Sequence, residues 1–281
     1  MFRSAVKEVF RFEPPTLKTG LVVSDLSRED SSALESAVRA FLQTIDSAEH
    51  MTWEDLARED WADPRPGDPI ENLLAQIRDR QPDLIVTYRH LLDANKDSPY
   101  TLGSVVDTLT QAIDTPVLLL PPPTDAGFTQ LNGTHKVMVI TDHLTGNDTL
   151  VNFGVEFTHR EGTLYLAHIE DLAHVERFLE AIDKLRRFDS NLAREEIPAK
   201  LLSLPEDYID SIVEALKQQE IRETLVPIVR MGHRLTDYRQ LVDEYDIDLL
   251  ILSGRDASQL AMHGTAHALA VELRDKPLLF I

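Results

Sequence analysis

The residues best suited to chemistry in this chain are two glycine–hydroxyl pairs, Gly103-Ser104 and Gly264-Thr265, each followed by a helical pattern. Glycine lets backbone N–H groups come close to an anion, and the helix behind it presents the positive end of its dipole. The neighbouring hydroxyl either donates to that anion or caps the helix. Gly254 and Arg255 stand shortly before the second pair and would add a backbone donor and a cation. Asp25 and Asp142 each close a short apolar run. The plainer alternative is that both glycines merely start helices and both aspartates cap turns. His263 and His267 have the i, i+4 spacing of metal ligands, but no third ligand accompanies them, so no metal site is assigned. His168 reads as a residue at the edge of the core. Asp142-His143 beside Asp148 lacks a nucleophile with an adjacent base, so no catalytic residue is assigned.

The elements that would position these residues occur twice. The run beginning at Asp83 (Leu84, Ile85, Val86) matches the run beginning at Asp248 (Leu249, Leu250, Ile251). A glycine precedes each aspartate at the same spacing, Gly67 and Gly232. Between them lie apolar residues at helical intervals: Ile70, Leu73, Leu74 and Ile77 in one copy, Leu235, Tyr238, Leu241 and Val242 in the other. Residues 102–120 then align with 263–281 without a gap, each reading Gly-Ser/Thr, helix, Asp-x-Pro and apolar strand. Strands alternating with helices predict parallel βαβ units, with ligands beyond the carboxyl ends of the strands where the strand order reverses.

The copies differ in length. Between Asp142 and Gly232 there is room for a strand at 163–170, helices at 172–188 and 207–219, and a strand at 224–231. Between Asp25 and Gly67 there is room only for a helix at 31–45 and a short strand near 50–55, so the first copy is short of one strand–helix unit. The organisation expected is an N-terminal extension (1–17), a shortened first domain (18–123), a proline-led linker (124–134 after Pro121-Pro122-Pro123) and a full second domain (135–281). Phe2, Val6, Val9, Phe10 and Phe12 are spaced for an amphipathic helix that docks on the second half or on a partner.

Composition removes several classes of function. With 28 Lys+Arg against 48 Asp+Glu, the formal charge of −20 disfavours nucleic acid and anionic membranes as partners. The absence of cysteine excludes disulfides, thiol catalysis and thiolate metal sites. The apolar runs are short and the N-terminus has no secretory pattern, so a cytoplasmic protein is expected.

The ordered set of Gly67-Asp68-Pro69-Ile70-Glu71, the Asp83 strand, Leu102-Gly103-Ser104 and Thr115-Pro116-Val117, with Leu166-Ala167-His168-Ile169 and the Asp248–Gly254 segment in the second copy, resembles the universal stress protein family in its tandem two-domain form. The resemblance implies an α/β fold of two doubly wound, Rossmann-like parallel sheets paired about a pseudo-twofold axis, the first shortened. It implies a cytosolic stress-response regulator that binds ATP (with Mg) or another adenine nucleotide and acts through conformation more than turnover. Nucleotide-binding members carry Gly-x2-Gly-x9-Gly-Ser/Thr, with an aspartate ending the first strand. Asp142, Gly254, Arg255, Gly264 and Thr265 match parts of that pattern; Asp25, Gly103 and Ser104 are the weaker first-copy equivalents. The match is broken: taking Gly254 as the first glycine puts Ala257 at the second, and taking it as the second puts Ile251 at the first. The alternative is a scaffold that binds no nucleotide and works through an unidentified protein partner or as a homodimer. An enzyme is a third reading, limited to weak nucleotide hydrolysis.

Overall fold

The computed structural model describes residues 8–281 except 44, 46, 63–66, 93–99, 124–130, 132, 142–143, 186–188 and 255–263. Strands β1 (Thr19–Val23), β2 (Thr52–Leu56), β3 (Leu84–Tyr88) and β4 (Val117–Leu120) come from the first half. Strands β5 (Lys136–Ile140), β6 (Thr163–Asp171), β7 (Thr224–Gly232), β8 (Leu249–Leu252) and β9 (Leu278–Phe280) come from the second. All nine form one sheet in the order β2-β1-β3-β4-β9-β8-β5-β6-β7. Every pairing is parallel except β4 with β9. The interior strands β3, β4, β8 and β9 are buried at every position, as runs covered by helices on both faces should be. The edge strands β2 and β7 are mostly half-exposed or exposed.

Helices α1 (Arg28–Leu42), α2 (Arg58–Trp61), α3 (Pro69–Arg80) and α4 (Ser104–Ala112) belong to the first half. Helices α5 (Asp148–Phe157), α6 (Leu172–Asp183), α7 (Ser190–Gln218), α8 (Arg234–Tyr245) and α9 (Gly264–Glu272) belong to the second. Their starts follow capping rules: Ser27 accepts from the Asp30 N–H, and Asp68 accepts from the Ile70 N–H with Pro69 at the first helical position.

The second half runs β7-β6-β5-β8-β9 across the sheet, and the first runs β2-β1-β3-β4. Matching β1 to β5, β2 to β6, β3 to β8 and β4 to β9 leaves β7 without a counterpart. The missing unit is therefore an outer one, whose removal breaks no interior pairing. The two halves meet through equivalent strands, β4 and β9, in antiparallel register (Leu118 opposite Leu279), as a twofold relation between like strands demands. The halves thus share one sheet, a closer union than two separately packed domains. The likeness extends to individual bonds. The Asp83 N–H donates to the Thr19 carbonyl and the Asp248 N–H to the Lys136 carbonyl, each at 2.9 Å. The helix before each aspartate ends on a left-handed residue with φ 49, Gln81 in one half and Asp246 in the other.

Three expectations are corrected. Residues 8–17 carry no helix. They run extended across the second half, where the Phe10 N–H donates to Ser211 Oγ at 3.0 Å and the Glu13 N–H to Asn152 Oδ1 at 2.9 Å. Phe10 is buried edge-on against Tyr208, so side-chain acceptors on α5 and α7 replace helical carbonyls. The helix expected at 172–188 ends at Asp183. The one expected at 207–219 begins at Ser190 and runs through Pro198 and Pro205. Its apolar periodicity marks only the part that meets the core, since its buried residues start at Pro205. Phe2 and Val6 lie outside the described residues.

Candidate ligand site

Strand order reverses at β1 in the first half and at β5 in the second, so each half has a crevice at the carboxyl edge, between β1 and β3 and between β5 and β8. In the first half that crevice is bridged. Tyr88, at the end of β3, donates its hydroxyl to Asp25 Oδ1 just beyond β1, and the Leu92 N–H donates to Asp25 Oδ2 at 3.0 Å. Both carboxylate oxygens are thereby engaged. Burial, the Asp25 hydrogen bond and the Asp25 charge together push the Tyr88 hydroxyl well above the ordinary tyrosine range, so it stays a neutral donor.

Beside the bridge, Trp61 is fully buried and its indole N–H donates to the Ser24 carbonyl at 3.0 Å. The Ser24 hydroxyl donates to Ser31 Oγ at 2.8 Å, and the Ser31 hydroxyl donates to Asp55. Burial raises the Asp55 carboxyl above its usual value, with Asp60 and Glu35 adding to the effect and the Ser31 hydrogen bond opposing it. Gly103 sits at φ 97, a conformation that favours glycine, and starts α4 with no side-chain cap. Asp25, Gly103 and Ser104 thus lie along one edge, with Asp25 already tied to its own chain.

The second half differs at the corresponding positions. Where Tyr88 bridges the first crevice, the aligned residue at the end of β8 is Ser253. Below this edge Tyr238 is fully buried; its oxygen accepts the Ile169 N–H at 2.9 Å, and its hydroxyl reaches the Thr141 carbonyl at 3.4 Å. Arg234 donates from Nε to the Ile169 carbonyl at 2.9 Å, and His168 pairs through Nε2 with Glu170 at 3.2 Å. His168 is buried at this edge, with a partner on its own strand. Gly254 is buried and lies outside the left-handed region. Its N–H donates to the Ile281 carbonyl at 2.9 Å, extending the β8–β9 ladder. Gly264 begins α9 and Thr265 is half-buried in its first turn. Asp142, Arg255 and His263 lie outside the described residues.

Tyr88 and Trp61 were not anticipated from sequence. The parallel register of Val22 with Val86 brings the end of β3 beside the end of β1, which is what puts Tyr88 within reach of Asp25. Among the described residues there is no grouping of three or more His, Asp or Glu side chains suited to a metal ion. No described helix is long and apolar enough to cross a membrane.

No protein-family model matches the sequence, and no curated protein matches it. Solved structures are similar in fold. A functionally unknown protein from Pseudomonas aeruginosa superposes with a TM-score of 0.51 at 11% identity, over 95% of this chain and 93% of the other. A universal stress protein from Archaeoglobus fulgidus superposes with a TM-score of 0.48 at 14% identity, over 94% and 85% of the two chains. Identities this low speak to architecture alone: the chain shares the α/β fold of the Pseudomonas protein.

Proposed function

We propose that this chain is a cytosolic stress-response regulator of the tandem universal stress protein kind, built as domains 18–123 and 135–281, that binds an adenine nucleotide in its second half alone. The observation that carries this reading is the asymmetry of the two crevices. Tyr88 and Leu92 hold both oxygens of Asp25, whereas the position aligned with Tyr88 in the second half is a serine, Ser253. The residues assigned to ATP are Asp142, Arg255, Gly264 and Thr265, with the first turn of α9 and the positive charge of Arg255 as the groups suited to phosphates. Mg would accompany the phosphates. Gly254 contributes space beside them, since its amide already serves Ile281.

Calorimetric titration with ATP, ADP and AMP in the presence of Mg tests the reading. One site per chain is expected, lost in Gly264→Ala and Asp142→Ala and kept in Ser104→Ala. A flat titration at millimolar nucleotide overturns it. A scaffold without nucleotide, working as a homodimer or with a protein partner, is the second reading. It is favoured by the engaged Gly254 amide together with a formal charge of −20 that repels a triphosphate.

A further inference from the structure

The seam between the halves has two ends related by the pseudo-twofold axis, and different residues stand at them. Leu118 lies opposite Leu279 across the β4–β9 joint, and these two hold the same place in the two copies of the repeat. The axis at that pair carries Arg89 onto Gly254, Leu273 onto Ala112, Asp275 onto Asp114 and Arg274 onto Ile113. At the first end Arg89 is buried, and its Nη2 donates to the Leu273 carbonyl at 3.0 Å. Asp275 favours its charged form, while burial and Arg274 oppose it. At the other end Gly254 brings no side chain. A cavity of about 160 Å³ lies there, lined among others by Thr110, Asp114, Thr115, Gly254, Phe280 and Ile281. That is well above the space a single water needs.

The lining offers acceptors more than donors. The Thr110 hydroxyl donates to the Val106 carbonyl at 3.0 Å, and the Thr115 hydroxyl to the Pro82 carbonyl at 3.2 Å. The Gly254 N–H donates to the Ile281 carbonyl at 2.9 Å. A hydroxyl oxygen keeps acceptor capacity while it donates, and an ionised carboxylate such as that of Asp114 accepts several donors at once. The group that suits such a wall is all donor and positively charged, which describes a guanidinium. Ile113 stands where Arg274 repels Arg89 at the first end, so that opposing cation is replaced by an apolar residue. The formal charge of −20 also favours a cation.

We propose that this cavity binds a guanidinium group carried on a short alkyl stem, in the position that mirrors Arg89 at the other end of the seam. Asp114 and the two threonine oxygens accept from the guanidinium, and Phe280 and Ile281 flank its apolar parts. The ligand touches residues of both halves and so fastens them together, as Arg89 does through Leu273. The site lies on the β9 side of β8, whereas the nucleotide crevice lies on its β5 side, and the proposal does not rest on nucleotide binding.

The test is calorimetric titration of the protein at pH 7 with ethylguanidinium chloride, and with ethylammonium chloride as the control cation. One saturable site per chain is expected for ethylguanidinium, with a dissociation constant of about 1 mM, as suits so small a ligand. Ethylammonium is expected to bind more weakly, because it lacks the planar fork of donors. Asp114→Asn, at an exposed residue, is expected to fold normally and to weaken ethylguanidinium binding about fivefold. Gly254→Arg places at this end the side chain that Arg89 places at the other, and is expected to abolish binding. A Cβ at Gly254 would meet Phe280 Cβ at 3.4 Å and the Ile281 carbonyl oxygen at 3.5 Å, which is ordinary contact, so the substitution is tolerated there. Comparing free arginine with a blocked Gly-Arg-Gly peptide shows whether the guanidinium comes on a small molecule or on a protein side chain. A flat titration with ethylguanidinium overturns the proposal, as does equal binding of the two cations or undiminished binding in Gly254→Arg. The ATP titration is read on its own, so failure of either idea is recognised by its own measurement.

Discussion

The duplicated aspartates show how one residue type in one role acquires opposite electrostatics. Asp83 Oδ2 accepts the Lys18 N–H at 2.8 Å, the Thr19 N–H at 2.9 Å and the Thr19 hydroxyl at 3.0 Å. Burial raises its pKa, but those three hydrogen bonds and the Lys18 charge outweigh it and leave the carboxyl below its ordinary value. Asp248 Oδ2 accepts the Lys136 N–H at 2.9 Å, and burial with the nearby Asp246 holds the carboxyl above its ordinary value. The signs follow from linkage. Asp83 lends stability that is complete above the ordinary carboxylate range and disappears as pH falls through its lowered folded value. Asp248 behaves oppositely: its charged form is disfavoured in the fold, so its relative contribution improves as pH falls through its raised value. Asp83→Asn should therefore cost about 1 kcal/mol at pH 7 and progressively less below pH 3.8. Asp248→Asn should be neutral or stabilising at pH 7, with that advantage fading in acid. Urea midpoints for both variants across this range check the pair, and a parallel pH dependence would contradict the assignment. The repeated Asp was readable in the sequence; the difference between its two environments was not, because it depends on which backbone N–H groups arrive beside each carboxylate.

At the scale of elements, periodicity located the helices that lie on the core and failed where chain segments pair with distant side chains. The extended segment at 8–17 finds its acceptors in Ser211 and Asn152, far along the chain. Helix α5 illustrates close approach. Gly154 faces β5 and β6 so tightly that an added Cβ would lie 2.6 Å from Val139 Cγ2 and 3.2 Å from Leu164 Cδ1. Alanine is the better helix former, by about 1 kcal/mol in an exposed helix, so propensity alone argues for stabilisation. Packing reverses the sign: Gly154→Ala is expected to destabilise by about 1–3 kcal/mol through overpacking. The midpoint of chemical unfolding measures it, and a higher midpoint would show that α5 shifts away from the sheet without cost. The same glycine read in sequence is an ordinary weak helix position.

For the whole molecule, the decisive contact is the antiparallel joint of β4 with β9. It makes one sheet of two parallel ones, with buried strands on both sides of the joint and Arg89 reaching across to Leu273. Such a joint should make the halves unfold together. A single calorimetric transition is expected, with equal van't Hoff and calorimetric enthalpies; two resolved transitions would mean that the joint is weaker than the cores it connects. Much of this was legible in the residues: the α/β class, the repeat, the shortened first copy, and Asp25 and Gly103-Ser104 at one carboxyl edge, because helical spacing, capping residues and short β-branched runs are local properties. Which strand the first copy lacks, how the halves share a sheet, and whether each crevice stays open depended on residues far apart in sequence. Tyr88 reaches Asp25 and Gly254 commits its amide to Ile281 only once parallel register has set the strands side by side. Local pattern chooses the elements; the tertiary fold chooses which of their polar groups still face outward to a ligand.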